Sequence, residues 1–174
     1  MLDRLRRLLA RRPPESGPLP PVTLAPIGVV RNRIKEPMMY GWERVDSRII
    51  LRPELGDALD GLEGWSHLTV LFWMHAVPDD RRSGTTHIHP LGDPEYPLQG
   101  IFATRSQFRP NPIGATAVAL LSRKGNVLRV RGLDAIDGTP VLDIKPYAAH
   151  YDSIADARIP AWAESIVERF RQHR

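Results

Sequence analysis

Cysteine is absent from the 174 residues. That excludes disulfides, a thiolate metal site and a thiolate nucleophile, and it suits a reducing compartment. No apolar run reaches the ~18–20 residues of a membrane-spanning helix. The longest, Leu68 to Val77, is strand-like and contains Thr69 and His75. There is no Gly-x-Gly-x-x-Gly and no phosphate loop, so the strand, glycine-rich turn and helix of a Rossmann nucleotide site are missing. Internal repeats are missing too. His87-x-His89 has a metal-like spacing, but no third ligand is marked nearby, which argues against metal. A signal peptide needs an uninterrupted apolar core, and arginines break up the one candidate, residues 1–12.

What is present is ordinary for one soluble domain with a real core: 42% hydrophobic and 25% charged residues. Seventeen prolines argue for turns and short strands over long helices. The net charge of +4 is unevenly placed: residues 1–12 carry five arginines against one aspartate, so the rest of the chain balances to zero. Residues 1–12 read as a short basic helix with Leu2, Leu5, Leu8 and Leu9 on one side. A phosphate-attracting or packing arm and an Arg-rich transit peptide are both open readings. Arg12 to Pro21, with five prolines, reads as an extended linker. If the body binds nucleic acid, it must use a local patch.

From Val22 the spacing predicts strands at Val22–Arg31, Asp46–Arg52 and Ser66–His75, the last without clean alternation and so buried on both sides or set in a barrel. Glu54–Leu62 has helical spacing and ends before Gly64. His67 reads as a core histidine and His75 as a residue at a strand end, where barrel mouths take ligands. Pro78 to Gln99 has no periodicity and reads as a lid or binding loop carrying Arg81, Arg82, His87 and His89. Ile101–Ala103 reads as the end of a buried strand. Ile113–Ser122 and Val127–Leu133 form a hairpin across Lys124-Gly125-Asn126, Val141–Ile144 is a further strand, and Ile159–Arg171 is a terminal helix facing the body with Trp162, Ile166, Val167 and Phe170. About seven short strands between turn signals predict a mainly β barrel or sandwich.

The stretch with most information is Gly100 to Gly114. Arg105 and Arg109 flank a polar turn. Pro110 and Pro112 fix two φ angles and remove two amide donors, and Asn111, before a proline, is pushed toward extended backbone. A rigid surface corner is one reading of this turn; a ligand-binding turn is the other. The guanidinium fork of an arginine matches a carboxylate or a phosphate.

Thr104-Arg105-Ser106, Arg109-Pro110-Asn111-Pro112-Ile113-Gly114 and Asp137 through Tyr147 closely resemble the signature of the TrmO (TsaA-like) family. The resemblance covers roughly Val22 to Ser153. It implies a single closed β-barrel over residues 22–153, with a basic arm and linker at 1–21 and a C-terminal helix at 154–174 packed on it. The form is short, lacking the C-terminal domain of fuller members. It implies S-adenosylmethionine as cofactor and methyl transfer to N6 of threonylcarbamoyladenosine beside the tRNA anticodon, in a cytoplasmic homodimer without metal or membrane. Cofactor contacts are implied for Met39, Tyr40 and Gly41, for Met74 and His75, for Arg105 and Ala115, and for Arg131, Gly132, Leu133 and Asp134. Substrate contacts are implied for Arg109, Asp137, Lys145 and Tyr147. By analogy with amino-methyltransferases that use an Asn-Pro element, Asn111 Oδ1 and the carbonyl of Pro110 or Pro112 are candidate acceptors for the reacting N–H, with Asp134, Asp137 and Tyr147 as rivals. Two departures stand out: Tyr40-Gly41 where the family has Gln-Gly, and Gln107 where it has proline after Thr-Arg-Ser. Met39, Tyr40 and Trp42 either stack on an adenine or pack on the core. A non-catalytic RNA- or nucleotide-binding barrel, and a methyltransferase of this fold with another acceptor, are the competing functions.

Overall fold

In β3 (His67–Trp73) Leu68, Val70 and Phe72 are buried, while Thr69, Leu71 and Trp73 are half-buried. This is the period of two expected of a strand with one face on a core. The alternation is hard to see in the sequence because the outward residues Leu71 and Trp73 are apolar as well. β2 (Asp46–Leu51) buries Ser47, Ile49 and Leu51, and β7 (Val127–Arg131) buries Leu128 and Val130 in the same way. The structure is a computed structural model that describes residue 17 and residues 19–173; the basic arm at 1–12 lies outside the described residues.

With β1 (Gly28–Arg31), β6 (Ile113–Lys124) and β8 (Pro140–Pro146), these strands close into an antiparallel barrel in the order β1-β2-β7-β6-β3-β8. β1 closes the ring by pairing with β8, Gly28 opposite Val141. Six strands therefore form the barrel, rather than about seven. β4 (His87–Ile88) and β5 (Gln99–Gly100) make a separate two-stranded ribbon. A barrel this narrow is filled by side chains, here Val30, Ile49, Leu68, Val70, Val118, Leu128, Val130, Leu133 and Val141, all essentially inaccessible. Because every neighbour is antiparallel, one end gathers the C-termini of β1, β3 and β7 with the N-termini of β2, β6 and β8. We call it the upper end.

Several sequence expectations are corrected. Only Gly28–Arg31 of Val22–Arg31 is strand; Val22 and Leu24 are exposed and gain no partner strand. Glu54–Leu62 forms two 3-10 turns, Pro53–Leu59 and Leu62–Gly64, because left-handed Gly61 (φ 82°) interrupts it. Ile101–Ala103 is a 3-10 turn as well. Only Ile101 of the three is buried and Phe102 is 78% exposed, and the Thr104 hydroxyl closes the turn on the Ile101 carbonyl at 2.9 Å. His67 is exposed at the lower end, beside the Ser66 hydroxyl. The segment 78–99 is not structureless: it holds α1 (Asp79–Gly84), β4 and a 3-10 turn at Pro90–Gly92. α1 lies over the outside of the barrel, with Arg82 facing the Trp73 ring and Arg81 the Phe108 ring. α2 (Ala149–Asp152) is one turn.

α3 (Ala161–Gln172) is the terminal helix. Trp162 and Ile166 are half-buried, but Val167 and Phe170 remain 39% and 36% exposed. It meets the β1–β2 loop, where Tyr40 packs edge-on against Phe170 and stacks on His173 with centroids 4.3 Å apart. Arg169 pairs with Asp93 at 3.6 Å. No helix among the described residues is long and apolar enough to cross a membrane.

Candidate functional site

The upper end collects most of the residues singled out in the sequence. The turn between the 3-10 segment and β6 is knitted by its own polar groups. Arg109 donates from Nε to the Ser106 carbonyl at 2.9 Å and from Nη2 to the Thr104 carbonyl at 2.6 Å. The Ser106 amide bonds the Thr104 hydroxyl and the Phe108 amide the Ser106 hydroxyl. Arg109 thus staples the turn, and two of its donors are committed to backbone carbonyls. Pro112 is fully buried and anchors the corner, and its carbonyl accepts the Met74 amide at 2.8 Å. That bond ties the end of β3 to the start of β6. Asn111 is exposed between the two prolines, and its side chain makes no hydrogen bond among the described residues.

Arg105 does not reach inward from a buried strand. It is exposed, and its Nη2 donates to the Ala115 carbonyl at 2.8 Å. This places the guanidinium against β6, close to Asp134 just past β7. Asp134 accepts a hydrogen bond from the Thr116 hydroxyl. Solvent reaches one side of Asp134, yet the atoms packed around it desolvate the carboxylate enough to raise its pKa above the usual aspartate value. The Thr116 bond, its own amide and the Arg105 charge offset only part of that rise. A raised carboxyl beside a guanidinium with spare donors marks a candidate functional site. Thr116 was not singled out in the sequence; only the pairing of β6 with the loop after β7 reveals it.

The other cofactor candidates lie in loops and strand ends at the same end of the barrel. Gly132 has φ 92° and Gly41 φ 88°, and a side chain at either would meet nothing within 4 Å. Both glycines therefore present open backbone, in a conformation that other residues adopt at a cost. Leu133 is wholly buried in the barrel, so it offers a ligand its main chain alone. Arg131 is tied to Asp46 at 2.6 Å, and that hydrogen bond holds Asp46 below the usual carboxylate range. His75 is exposed and Met74 half-buried at the strand end. Met39 is 47% exposed, whereas Tyr40 faces α3 and Trp42 donates to the Met38 carbonyl at 2.8 Å.

Asp137 is a structural hub. Its carboxylate accepts the Asn32 amide at 3.1 Å and Lys35 Nζ at 2.6 Å, with Arg31 at 3.6 Å. The Lys35 and Asn32 bonds lower its pKa. Asn32 also donates to the Ala135 carbonyl and the Ser47 hydroxyl, pinning the base of the β1–β2 loop. Lys145 and Tyr147 are not brought to the upper end. Lys145 lies opposite Thr69 and pairs with Asp143 at 2.5 Å, and the Tyr147 amide bonds the His67 carbonyl. From His67 to Met74 is about 23 Å of strand, so these two residues sit at the lower end of the same barrel. Among the described residues no cluster of His, Asp and Glu could hold a metal ion.

Residues 35–153 match the family model described as the tRNA-methyltransferase O N-terminal domain. A probable S-adenosyl-L-methionine-binding protein of Methanothermobacter thermautotrophicus is 42% identical over 137 residues, 76% of this chain and 95% of that protein. The Escherichia coli tRNA (adenine(37)-N6)-methyltransferase is 37% identical over 142 residues, 75% of this chain and 60% of that enzyme. The chain spans 38% of the length of a further probable S-adenosyl-L-methionine-binding protein, from Archaeoglobus fulgidus, at 42% identity. A crystal structure of TrmO from Pseudomonas aeruginosa superposes with a TM-score of 0.67 at 34% identity, over 84% of this chain and 63% of that one.

Proposed function

Because the chain belongs to the family of the tRNA-methyltransferase O N-terminal domain, we propose that it is an S-adenosylmethionine-dependent tRNA methyltransferase acting on N6 of threonylcarbamoyladenosine beside the anticodon. The observation that supports this best is the grouping of Arg105, Thr116 and Asp134 at the upper end, next to the Pro110-Asn111-Pro112 corner. Relatives named for S-adenosylmethionine binding and for adenine-37 methylation agree with it.

The donor set fits the cofactor. A guanidinium with unused N–H groups suits its carboxylate, a carboxylate suits its ribose hydroxyls, and the open backbone at Gly41 and Gly132 allows close approach. Arg105, Asp134, Met74, His75 and the main chain of Arg131 to Leu133 would hold it. When bound, S-adenosylmethionine supplies an electrophilic methyl group on a sulfonium. The protein's task is then to hold the acceptor nitrogen in line, which is catalysis by positioning. That nitrogen is a weak nucleophile, because the purine and the carbamoyl group both withdraw its lone pair. As its new N–C bond forms, its hydrogen must leave as a proton. Asn111 Oδ1, unengaged among the described residues and carried on a backbone stiffened by two prolines, orients that N–H. Asp134, more basic than an ordinary aspartate, takes the proton.

The protein acts as a cytoplasmic homodimer in this reading, with the arm of residues 1–21 adding charge toward RNA. Calorimetry and single-turnover methylation of threonylcarbamoylated tRNA test it. Arg105→Ala should weaken S-adenosylmethionine binding, by about 1.5–3 kcal/mol for a lost charge-assisted hydrogen bond. Asn111→Ala should leave that binding intact and slow the methyl transfer. A wild-type protein that binds S-adenosylmethionine but leaves the modified tRNA unmethylated has a different acceptor; one that binds neither is not this enzyme.

A further inference from the structure

β1, β2 and β7 present their outward side chains in rows across the barrel wall. In one row Asp46 lies opposite Arg131 and binds it. In the next, Arg31 lies opposite Arg48 and Arg48 opposite Arg129. Like charges at directly opposed cross-strand positions destabilise a sheet, and neighbouring strands are only about 4.8 Å apart. Three arginines in register therefore cost stability unless something else faces them. A cleft of about 670 Å³ lies over this row, and Arg33 and Arg44 line it from the β1–β2 loop. Five arginines thus face two carboxylates, Asp46 and Asp137. Asp46 lies 3.4 Å from Arg129 and Asp137 3.6 Å from Arg31, but each has a closer cation, Arg131 and Lys35, both at 2.6 Å; Arg44 pairs with Glu43 at 3.3 Å. Arg33 and Arg48 make no ion pair and no side-chain hydrogen bond among the described residues.

We propose that this cleft seats the phosphate backbone of an RNA strand, with Arg31, Arg33, Arg48 and Arg129 as the phosphate ligands. The proposal rests on the tRNA reading above and names the surface that reading lacks. Residues 13–174 sum to zero charge, so a general basic field cannot hold RNA against this domain and a local row must. The row crosses about 10 Å of barrel wall, enough to face more than one successive phosphate. Its direction also suits the chemistry. Arg129 and Asp134 are five residues apart in the chain, which spans about 18 Å at most. A backbone held on the row therefore leaves a nearby nucleotide within reach of the upper end. Arginine rather than lysine fits phosphate through its planar fork.

Arg33→Gln/Arg48→Gln in the full chain tests this, because neither side chain supports the fold. The probe is an unmodified anticodon stem-loop RNA, titrated across a salt series. The double variant should bind roughly tenfold more weakly at moderate salt. The slope of log K against log salt should be shallower by about 1.4, the loss of two phosphate contacts on a single strand. The Arg33→Lys/Arg48→Lys variant should keep most of that slope. S-adenosylmethionine affinity should not move, and the melting temperature should hold or rise as the arginine row is relieved. Wild-type affinity and slope in the glutamine variant would overturn the proposal and leave the methyltransferase reading standing. A wild-type protein that binds S-adenosylmethionine but neither this stem-loop nor its threonylcarbamoylated form overturns both the cleft's ligand and the tRNA acceptor. Displacement by polyglutamate in preference to the stem-loop would assign the cleft to an acidic peptide instead.

Discussion

Gly114 closes the Arg109–Gly114 motif, and the structure gives it a packing reason that can be put to a number. It stands directly opposite Phe72 on β3. A Cβ built on it would lie 2.2, 2.3 and 2.8 Å from three atoms of the Phe72 ring. Carbon atoms sit at about 3.5 Å, so the ring would have to retreat by roughly 1.3 Å. Phe72 is 2% exposed and belongs to the main core cluster, where little free space exists for such a shift. Gly114→Ala should therefore cost about 3 kcal/mol, the upper part of the overpacking range. For a chain of this size that is a fall in melting temperature of about 6–12 °C. The clash is with one side chain, so Phe72→Leu in the same chain should recover part of the loss, with a coupling of about 1 kcal/mol or more in a double-mutant cycle. Thermal melts of wild type, both single variants and the double variant supply the cycle. A Gly114→Ala protein melting with wild type, or strictly additive effects, would show that the glycine is not there to admit the ring. Since Arg105 grips the carbonyl of the next residue, Ala115, displacement of this strand should also weaken cofactor binding.

Asp134 has a raised pKa in the fold, so the protonated form is favoured by folding. The stability it contributes is present below the unfolded aspartate pKa and lost as pH rises through the folded value. Asp134→Asn should consequently melt higher than wild type at neutral pH, with the gap closing under acid conditions, and should methylate poorly; a gap that grows in acid would contradict the desolvation argument. Arg109→Ala should lose about 1–3 kcal/mol of stability by stranding two turn carbonyls, and Arg109→Lys should rescue little, because an ammonium cannot span both; equal melting of Arg109→Ala and wild type would show that the staple is idle. If a dimer brings the partner subunit's Tyr147 to the site, separately inactive Asn111→Ala and Tyr147→Phe proteins should regain about a quarter of wild-type activity when mixed and re-equilibrated, since half the dimers then hold one intact site. No recovery on mixing would confine the site to one protomer.

Local chemistry in the sequence carried the fold further than it carried the site. β2 was legible to within a residue, because charged Asp46 and Arg48 alternate with Ser47 and Ile49 before the apolar Ile50 and Leu51, and the β6–β7 hairpin was marked by Gly125 (φ 59°). Ile101–Ala103 misled because three apolar residues read as strand, whereas one buried Ile101 suffices to anchor a tight turn. The Arg109 staple was invisible because its partners are carbonyls of its own turn, which no residue type reveals. Thr116 and the Arg31–Arg48–Arg129 row were equally hidden. Thr116 is an inward position near the end of β6, opposite Val70, and the three arginines are ordinary outward ones; only the pairing registers bring them to their partners. Lys145 and Tyr147 follow closely on the Asp137 motif in sequence, but β8 carries them the full length of the barrel.

The arginines of this domain show why charge alone says little about an RNA partner. Arg123 is spent on Asp60 at 2.9 Å, Glu63 at 3.3 Å and the carbonyl of Gly56. Arg131 is spent on Asp46 and Arg109 on its turn. Each of these cations is neutralised or committed, and substituting any of them perturbs the fold before it perturbs a ligand. The arginines of the cleft differ in having few carboxylates to answer them and one another for neighbours. A fold that places like charges in register across three strands gives up stability at that spot, and the loss is recovered when a polyanion fills the cleft. Neutral overall charge in residues 13–174 is then compatible with RNA binding, because counterion release depends on how many phosphates are contacted, not on the sum over the surface. The same reasoning separates the two ends of the site. Arg105 holds one carbonyl and has further donors free beside Asp134, while the row from Arg31 to Arg129 faces outward, so the proposed cofactor and RNA contacts use different guanidinium groups.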